Sequence, residues 1–263
     1  MTLDRLPRAR QARRNHRRTG PARYGRVNGV VFALLLCVFL LIGAGCAQNT
    51  TTVAGQSGTT TSHQQGDKQI TYVAIGASDT FGIGTQDPYD DNWPTDLAAL
   101  LGASHIHLIN LGIPDITVHD ALSLELPIAL DSHPDLVTIW LGVNDIVAKV
   151  PPASYASDLN ALLTRLRTNA PHARIAIANV PDLTLLPAFA QADQQALTQQ
   201  IQAYNAIIAS AAQQHHAVLV DLTTQSYNLQ DHPEYISNDG LHPTDIGYQQ
   251  LAKLFYQALQ HQG

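Results

Sequence analysis

From residue 70 onward, apolar and polar positions follow two alternating patterns. Short apolar runs, mostly rich in β-branched residues, stand at 70–75, 105–111, 136–141, 174–180 and 217–222. Runs of that length and composition read as strands. Between them lie helix-like segments at 93–101, 118–126, 154–169, about 191–214, and 244–261. Five largely apolar strands alternating with helices predict an α/β fold, a parallel sheet covered on both faces. Its crossovers would be right-handed. In such sheets ligands bind beyond the carboxyl ends of the strands, so chemically active residues are expected just after strands.

They occur there. The first run ends in Gly76-Ala77-Ser78-Asp79-Thr80, the second in Asn110-Leu111-Gly112, the third in Gly142-Val143-Asn144-Asp145. Past the fifth comes the stretch 237–248, with Asp239 and His242-Pro243. Acyl transfer needs such a set. A serine hydroxyl is a weak nucleophile until a base removes its proton. Histidine suits that task near neutral pH, and a carboxylate then holds the imidazole tautomer. The tetrahedral oxyanion needs preorganised donors; Gly112 can offer an unhindered N–H and Asn144 a side-chain NH₂.

Taken singly these residues say little: a loop serine, a turn glycine, a helix cap, an Asp-Gly turn. Four of them in this order resemble the SGNH (GDSL-type) hydrolase superfamily. The stretch GASDT matches the family's nucleophile block at Gly76, Ser78 and Thr80, NLG its glycine block at Gly112, GVND its G-x-N-D block, and DGLHP its D-x-x-H-P block. The resemblance spans about residues 70–259. It implies a three-layer α/β/α flavodoxin-like sandwich with a five-stranded parallel sheet. It further implies Ser78 as nucleophile, His242 as base and Asp239 as the group orienting it. The oxyanion donors would be the Ser78 N–H, the Gly112 N–H and the Asn144 amide, with no metal and no organic cofactor. Asp145 would order neighbouring loops. Two positions depart from the family: Ala77 stands where Asp is usual before the serine, and 113–117 reads Ile-Pro-Asp-Ile-Thr where x-G-x-T is common. Asp79 follows the serine, so its side chain is expected to leave the loop elsewhere.

The amino-terminal region reads differently. Residues 1–46 hold nine arginines and one acid, a net of +8, leaving −14 for the rest of a chain whose total is −6. An acidic domain repels phosphate backbones, so nucleic acid is an unfitting partner. The basic arm precedes 16 uncharged residues from Val30 to Gly45 and then Cys46. That run is short for a spanning helix and suits a signal peptide. Small residues before Cys46 and a polar stretch after it resemble a lipoprotein cleavage site, with Cys46 lipidated; an uncleaved membrane anchor and a plain secretory signal are the alternatives. Residues 47–69, rich in Thr, Ser, Gln and Gly, read as a flexible tether, and 70–263 as the hydrolase domain. The expected location is the outer face of a bacterial cytoplasmic membrane or the cell envelope. No cysteine follows Cys46, which excludes disulfides, thiolate metal sites and a cysteine nucleophile from the domain.

His105 and His107 share one face of a strand without a carboxylate partner placed beside them, and read as surface histidines rather than metal ligands. The loop after the fourth strand carries Leu183, Leu185, Leu186 and Phe189, which either wall an acyl pocket or staple the loop to the core. Tyr89 and Trp93 are a second candidate wall. The expected activity is hydrolysis of short-chain or single-chain lipid carboxylic esters. The alternatives are a carbohydrate O-acetylesterase, a thioesterase or lysophospholipase of the same superfamily, and a non-catalytic binding protein.

Overall fold

A computed structural model of the chain describes residues 69–223 and 229–261. The export, lipidation and tether readings, Cys46 included, fall on residues outside these. Five strands form one sheet: β1 (Ile70–Gly76), β2 (Ile106–Asn110), β3 (Leu136–Trp140), β4 (Arg174–Ala178) and β5 (Val218–Val220). All pairings are parallel and the order is β2-β1-β3-β4-β5. This is the flavodoxin-like winding, whose order reverses between β1 and β3 and opens a crevice at their carboxyl ends.

Eight α-helices complete the described domain: α1 (Ser78–Phe81), α2 (Trp93–Gly102), α3 (Val118–Leu124), α4 (Leu126–Asp131), α5 (Val143–Val147), α6 (Pro152–Asn169), α7 (Gln194–Gln214) and α8 (Asp245–His261). Helices α2 and α8 pack together against one face, while α3, α4, α6 and α7 cover the other. Central β3 is buried along its whole length, as its unbroken apolar run requires when helices cover both faces. Trp93 is fully buried and stacks on Phe255 at 4.3 Å, so it belongs to the seam between α2 and α8 and walls no pocket. Tyr89 is exposed and meets only the edge of the Phe81 ring, at 5.6 Å.

The helix expected over 118–126 is broken in two. Pro127 has no N–H to carry the first helix onward, so α3 stops at Leu124 and α4 starts at Leu126. Glu125 sits at the break, fully buried. The start of α7 lies a few residues later than expected because Asp193 caps it, its Oδ1 accepting from Ala196 N–H at 3.0 Å.

Candidate active site

At the end of β1 the chain turns sharply into α1. Ala77 is the cap, and its carbonyl accepts from the N–H groups of Thr80 and Phe81 at 3.0 Å each. Ser78 is the first residue of the helix and is largely buried. Far along the sequence, residues 235–244 fold back on themselves. Ser237 N–H donates to the His242 carbonyl at 2.8 Å and Thr244 N–H to the Tyr235 carbonyl at 2.8 Å. The loop after β4 clamps this turn through Ala188 N–H to the Gly240 carbonyl at 3.0 Å.

These two features bring together residues 164 positions apart. Ser78 Oγ lies 2.9 Å from His242 Nε2, and His242 Nδ1 lies 2.6 Å from Asp239 Oδ2. The other oxygen of Asp239 accepts from the backbone N–H groups of Leu241 and His242 at 2.8 and 2.9 Å. The carboxylate is thereby fixed on both oxygens. Partial burial pushes its pKa up, but the bonds from the His242 ring and from these two N–H groups outweigh that and hold it at about 2. An ionised carboxylate only accepts. The proton between Asp239 and His242 therefore sits on Nδ1, and Nε2 presents its lone pair to the Ser78 hydroxyl.

Gly112 follows β2 and lies against the backbone of α1: a side chain on it would meet Phe81 N at 2.3 Å. Only glycine fits so close an approach. Its N–H donates to Asn110 Oδ1 at 3.0 Å, and Asn110 Nδ2 in turn donates to the Thr80 carbonyl at 2.7 Å. The Gly112 donor is thus engaged in the resting molecule, and Asn110 bridges it to the turn that carries Ser78. Asn144 is the second residue of α5, just after β3, and donates from Nδ2 to the Ile116 carbonyl at 2.9 Å, which leaves the second N–H of its amide available. Ser78 N–H, at the first position of α1, has no carbonyl one turn back to bond within the helix.

Asp145 is almost fully buried and both its oxygens approach the Val118 N–H, at 3.3 and 3.2 Å. It thus accepts from the first N–H of α3, whose cap is Thr117, and ties α5 to the start of α3. Burial raises its pKa to about 6; the Val118 N–H pulls down, while Asp120 and Asp158 push up. Asp79 does not leave the site. Burial raises it to about 6, with His242 pulling down and Asp239 pushing up, so it stands within electrostatic reach of the histidine. It shares a cleft of about 20 Å³ with Trp140, Leu186 and Leu241. Of the loop's apolar residues, Leu186 lines this cleft, Leu183 is buried in the core, Phe189 packs half-buried on it, and Leu185 is exposed.

The remaining histidines lie apart from the site. His105 and His107 are exposed on the sheet's outer margin. His119 Nδ1 lies 3.2 Å from Asp158 Oδ2, and His232 Nδ1 lies 2.8 Å from Glu234 Oε1. Among the described residues no cluster of three metal-ligating side chains occurs. No described helix is long and apolar enough to cross a membrane.

Sequence reasoning missed Asn110's bridging role and Glu125 altogether. The signal for Glu125 is its isolation, a single acid among apolar residues from Ala121 to Leu130.

Known proteins resemble this chain. An arylesterase of Vibrio mimicus is 35% identical over 92 residues, 34% of this chain and 46% of that protein. The chain therefore matches less than half the length of that curated relative. An esterase of Pseudoalteromonas sp., EstA, solved in a form inhibited by monoethylphosphonate, superposes with a TM-score of 0.59 at 19% identity, over 73% of this chain and 98% of that one. A family 3 carbohydrate esterase of Clostridium thermocellum superposes with a TM-score of 0.58 at 23% identity, over 72% and 94%. Such solved structures share the fold. The sequence pattern of GDSL-like lipases and acylhydrolases runs from residue 74 to residue 250, from the last half of β1 into α8, and the chain belongs to the GDSL-like lipase/acylhydrolase family.

Proposed function

We propose that this protein is a serine ester hydrolase in which Ser78, His242 and Asp239 act as a triad. The observation that carries the reading is the unbroken chain of hydrogen bonds from Ser78 Oγ through the imidazole to Asp239. Ser78 Oγ attacks the ester carbonyl carbon while its proton passes to His242 Nε2. The imidazolium is stabilised by Asp239. The carbonyl oxygen becomes an oxyanion facing the Ser78 N–H, the Gly112 N–H and the free N–H of Asn144. Gly112 reaches it by sharing the proton now given to Asn110, or by releasing that bond. Collapse breaks the ester C–O bond, and the alcohol leaves with the proton from Nε2. Water then gives a proton to Nε2 and attacks the acyl-serine. The carboxylic acid departs and Ser78 recovers its proton.

The proposed substrates are esters of short acyl groups. The basic arm, apolar run and Cys46 support export and a lipid tether, placing the domain on the outer face of a membrane. The test is release of p-nitrophenol from p-nitrophenyl esters, acetate to palmitate, by the wild type and Ser78→Ala. Turnover with an optimum at acetate or butyrate and none in the variant is expected. A Ser78→Ala protein that retains turnover refutes the reading. An optimum at palmitate refutes the short-acyl assignment, and no turnover of any ester by the folded wild type moves the substrate to acetylated sugars or thioesters.

A further inference from the structure

Gly76 is the point to which the parts of the site are referenced. Its carbonyl accepts from Ile113 N–H at 3.0 Å, which ties the Gly112 loop to β1. A side chain on it would meet Thr80 Oγ1 at 2.0 Å and the Trp140 carbonyl at 2.9 Å, so α1 and β3 close on it from two sides. Its N–H finds no strand partner. It donates instead to Glu125 Oε1 at 2.9 Å, from the break between α3 and α4. Glu125 has no exposed surface, and its Oε2 has no hydrogen-bond partner among the described residues.

We propose that Glu125 is a positioning residue for the nucleophile: its buried carboxyl holds the end of β1 two residues ahead of Ser78, and ionisation of that carboxyl displaces the strand end. This rests on the reading of Ser78 as nucleophile. Charged groups on the neighbouring elements are directed elsewhere. Asp120 of α3 bonds Thr117, Arg165 of α6 reaches the Leu122 carbonyl, and Asp145 of α5 holds Val118 N–H. Among the described residues no cation compensates the acid, and burial raises its pKa to about 8, opposed by the Gly76 N–H. At neutral pH the acid is mostly protonated and the acceptor role of Oε1 is intact. Once ionised, Oε1 accepts more strongly from the Gly76 N–H, while the unpaired charge draws in water or moves toward it, and the end of β1 is displaced with it.

The experiment compares wild type, Glu125→Gln and Glu125→Ala on p-nitrophenyl acetate from pH 5 to 9.5, read at an isosbestic wavelength. A Ser78→Ala control establishes separately that the measured rate belongs to the site. Wild-type kcat is expected to fall above pH 8. In Glu125→Gln, which keeps an oxygen for Gly76 but cannot titrate, the ratio of kcat at pH 9.5 to kcat at pH 7 should rise at least fivefold over wild type. Glu125→Ala should lose tenfold or more in kcat at pH 7 with KM within twofold. A Glu125→Gln profile that superposes on wild type overturns the proposal even if the alanine variant fails to fold. A serine-dependent wild-type rate with no alkaline fall overturns it as well.

Discussion

Gly112→Ala separates placement from donation, because alanine keeps the backbone N–H. The added methyl would lie 2.3 Å from Phe81 N, 2.7 Å from Thr80 C and 2.9 Å from Phe81 Cα, all backbone atoms of α1. Ordinary carbon contacts begin near 3.4 Å, so the loop and the nucleophile helix must part by roughly 1 Å. No flexible side chain can absorb this. Overpacking of this kind costs about 1–3 kcal/mol of stability, a drop of roughly 2–12 °C in Tm for a domain of this size. The effect on rate should be larger. A misplacement of about 1 Å in a catalytic constellation costs on the order of 10²-fold, equivalent to about 2.7 kcal/mol of transition-state stabilisation. The assay is kcat and KM on p-nitrophenyl acetate at 25 °C, with circular dichroism to show that the variant is folded there. A kcat reduced about 100-fold with little change in KM is expected. A folded Gly112→Ala protein within threefold of wild-type kcat would refute the idea that this contact sets the oxyanion geometry.

Asn144→Ala should lower kcat on the order of 10²–10³-fold; KM on the same ester tells whether the loss is confined to the transition state. Asp239→Asn keeps the shape but replaces an acceptor-only group with one that can donate, so the imidazole can adopt the wrong tautomer; kcat/KM should fall on the order of 10³–10⁴-fold, and the pH–rate profile reports it. Glu125 also predicts a stability trend. Its folded pKa of about 8 lies above the ordinary 4.5, so the unfolded chain releases this proton first and wild-type stability falls as pH rises from about 4.5 to about 8. The full difference is roughly 5 kcal/mol, and denaturant unfolding of wild type against Glu125→Gln at pH 5 and pH 9 measures it. A stability gap between the two proteins that does not widen with pH counts against the buried acid.

The strands were readable because each is a short apolar run with nothing to compete with burial on both faces. The four stretches of the candidate site were readable because a parallel sheet offers its ligands one edge, and each stretch follows a strand or opens the last helix. What escaped notice depends on distance rather than on local pattern. Glu125 looks like an ordinary helix residue until Pro127 breaks the helix and turns it under β1. Asn110 looks like a strand-end polar residue until its two amide atoms are seen to join Thr80 to Gly112. Asp79 was expected to point away because it follows the serine, but the tight turn into α1 keeps it beside His242 and Trp140. The split of 118–126 into two helices follows from Pro127, a signal present in the sequence.

Ser78 and His242 meet across 164 positions, with the serine just past the first strand and the histidine just ahead of the last described helix. During synthesis the ribosome must therefore deliver nearly the whole domain before the two can touch. Helix α8, which packs on α2 and on β4 and β5, is the final piece of that closure. A growing or truncated chain that ends before residue 242 carries Ser78 without its histidine, and one that ends before α8 lacks the helix that packs that end of the domain on α2, β4 and β5. On the proposed reading such an intermediate is chemically silent, and hydrolysis waits for completion of the fold. The price is a late, long-range step of the kind that slows folding.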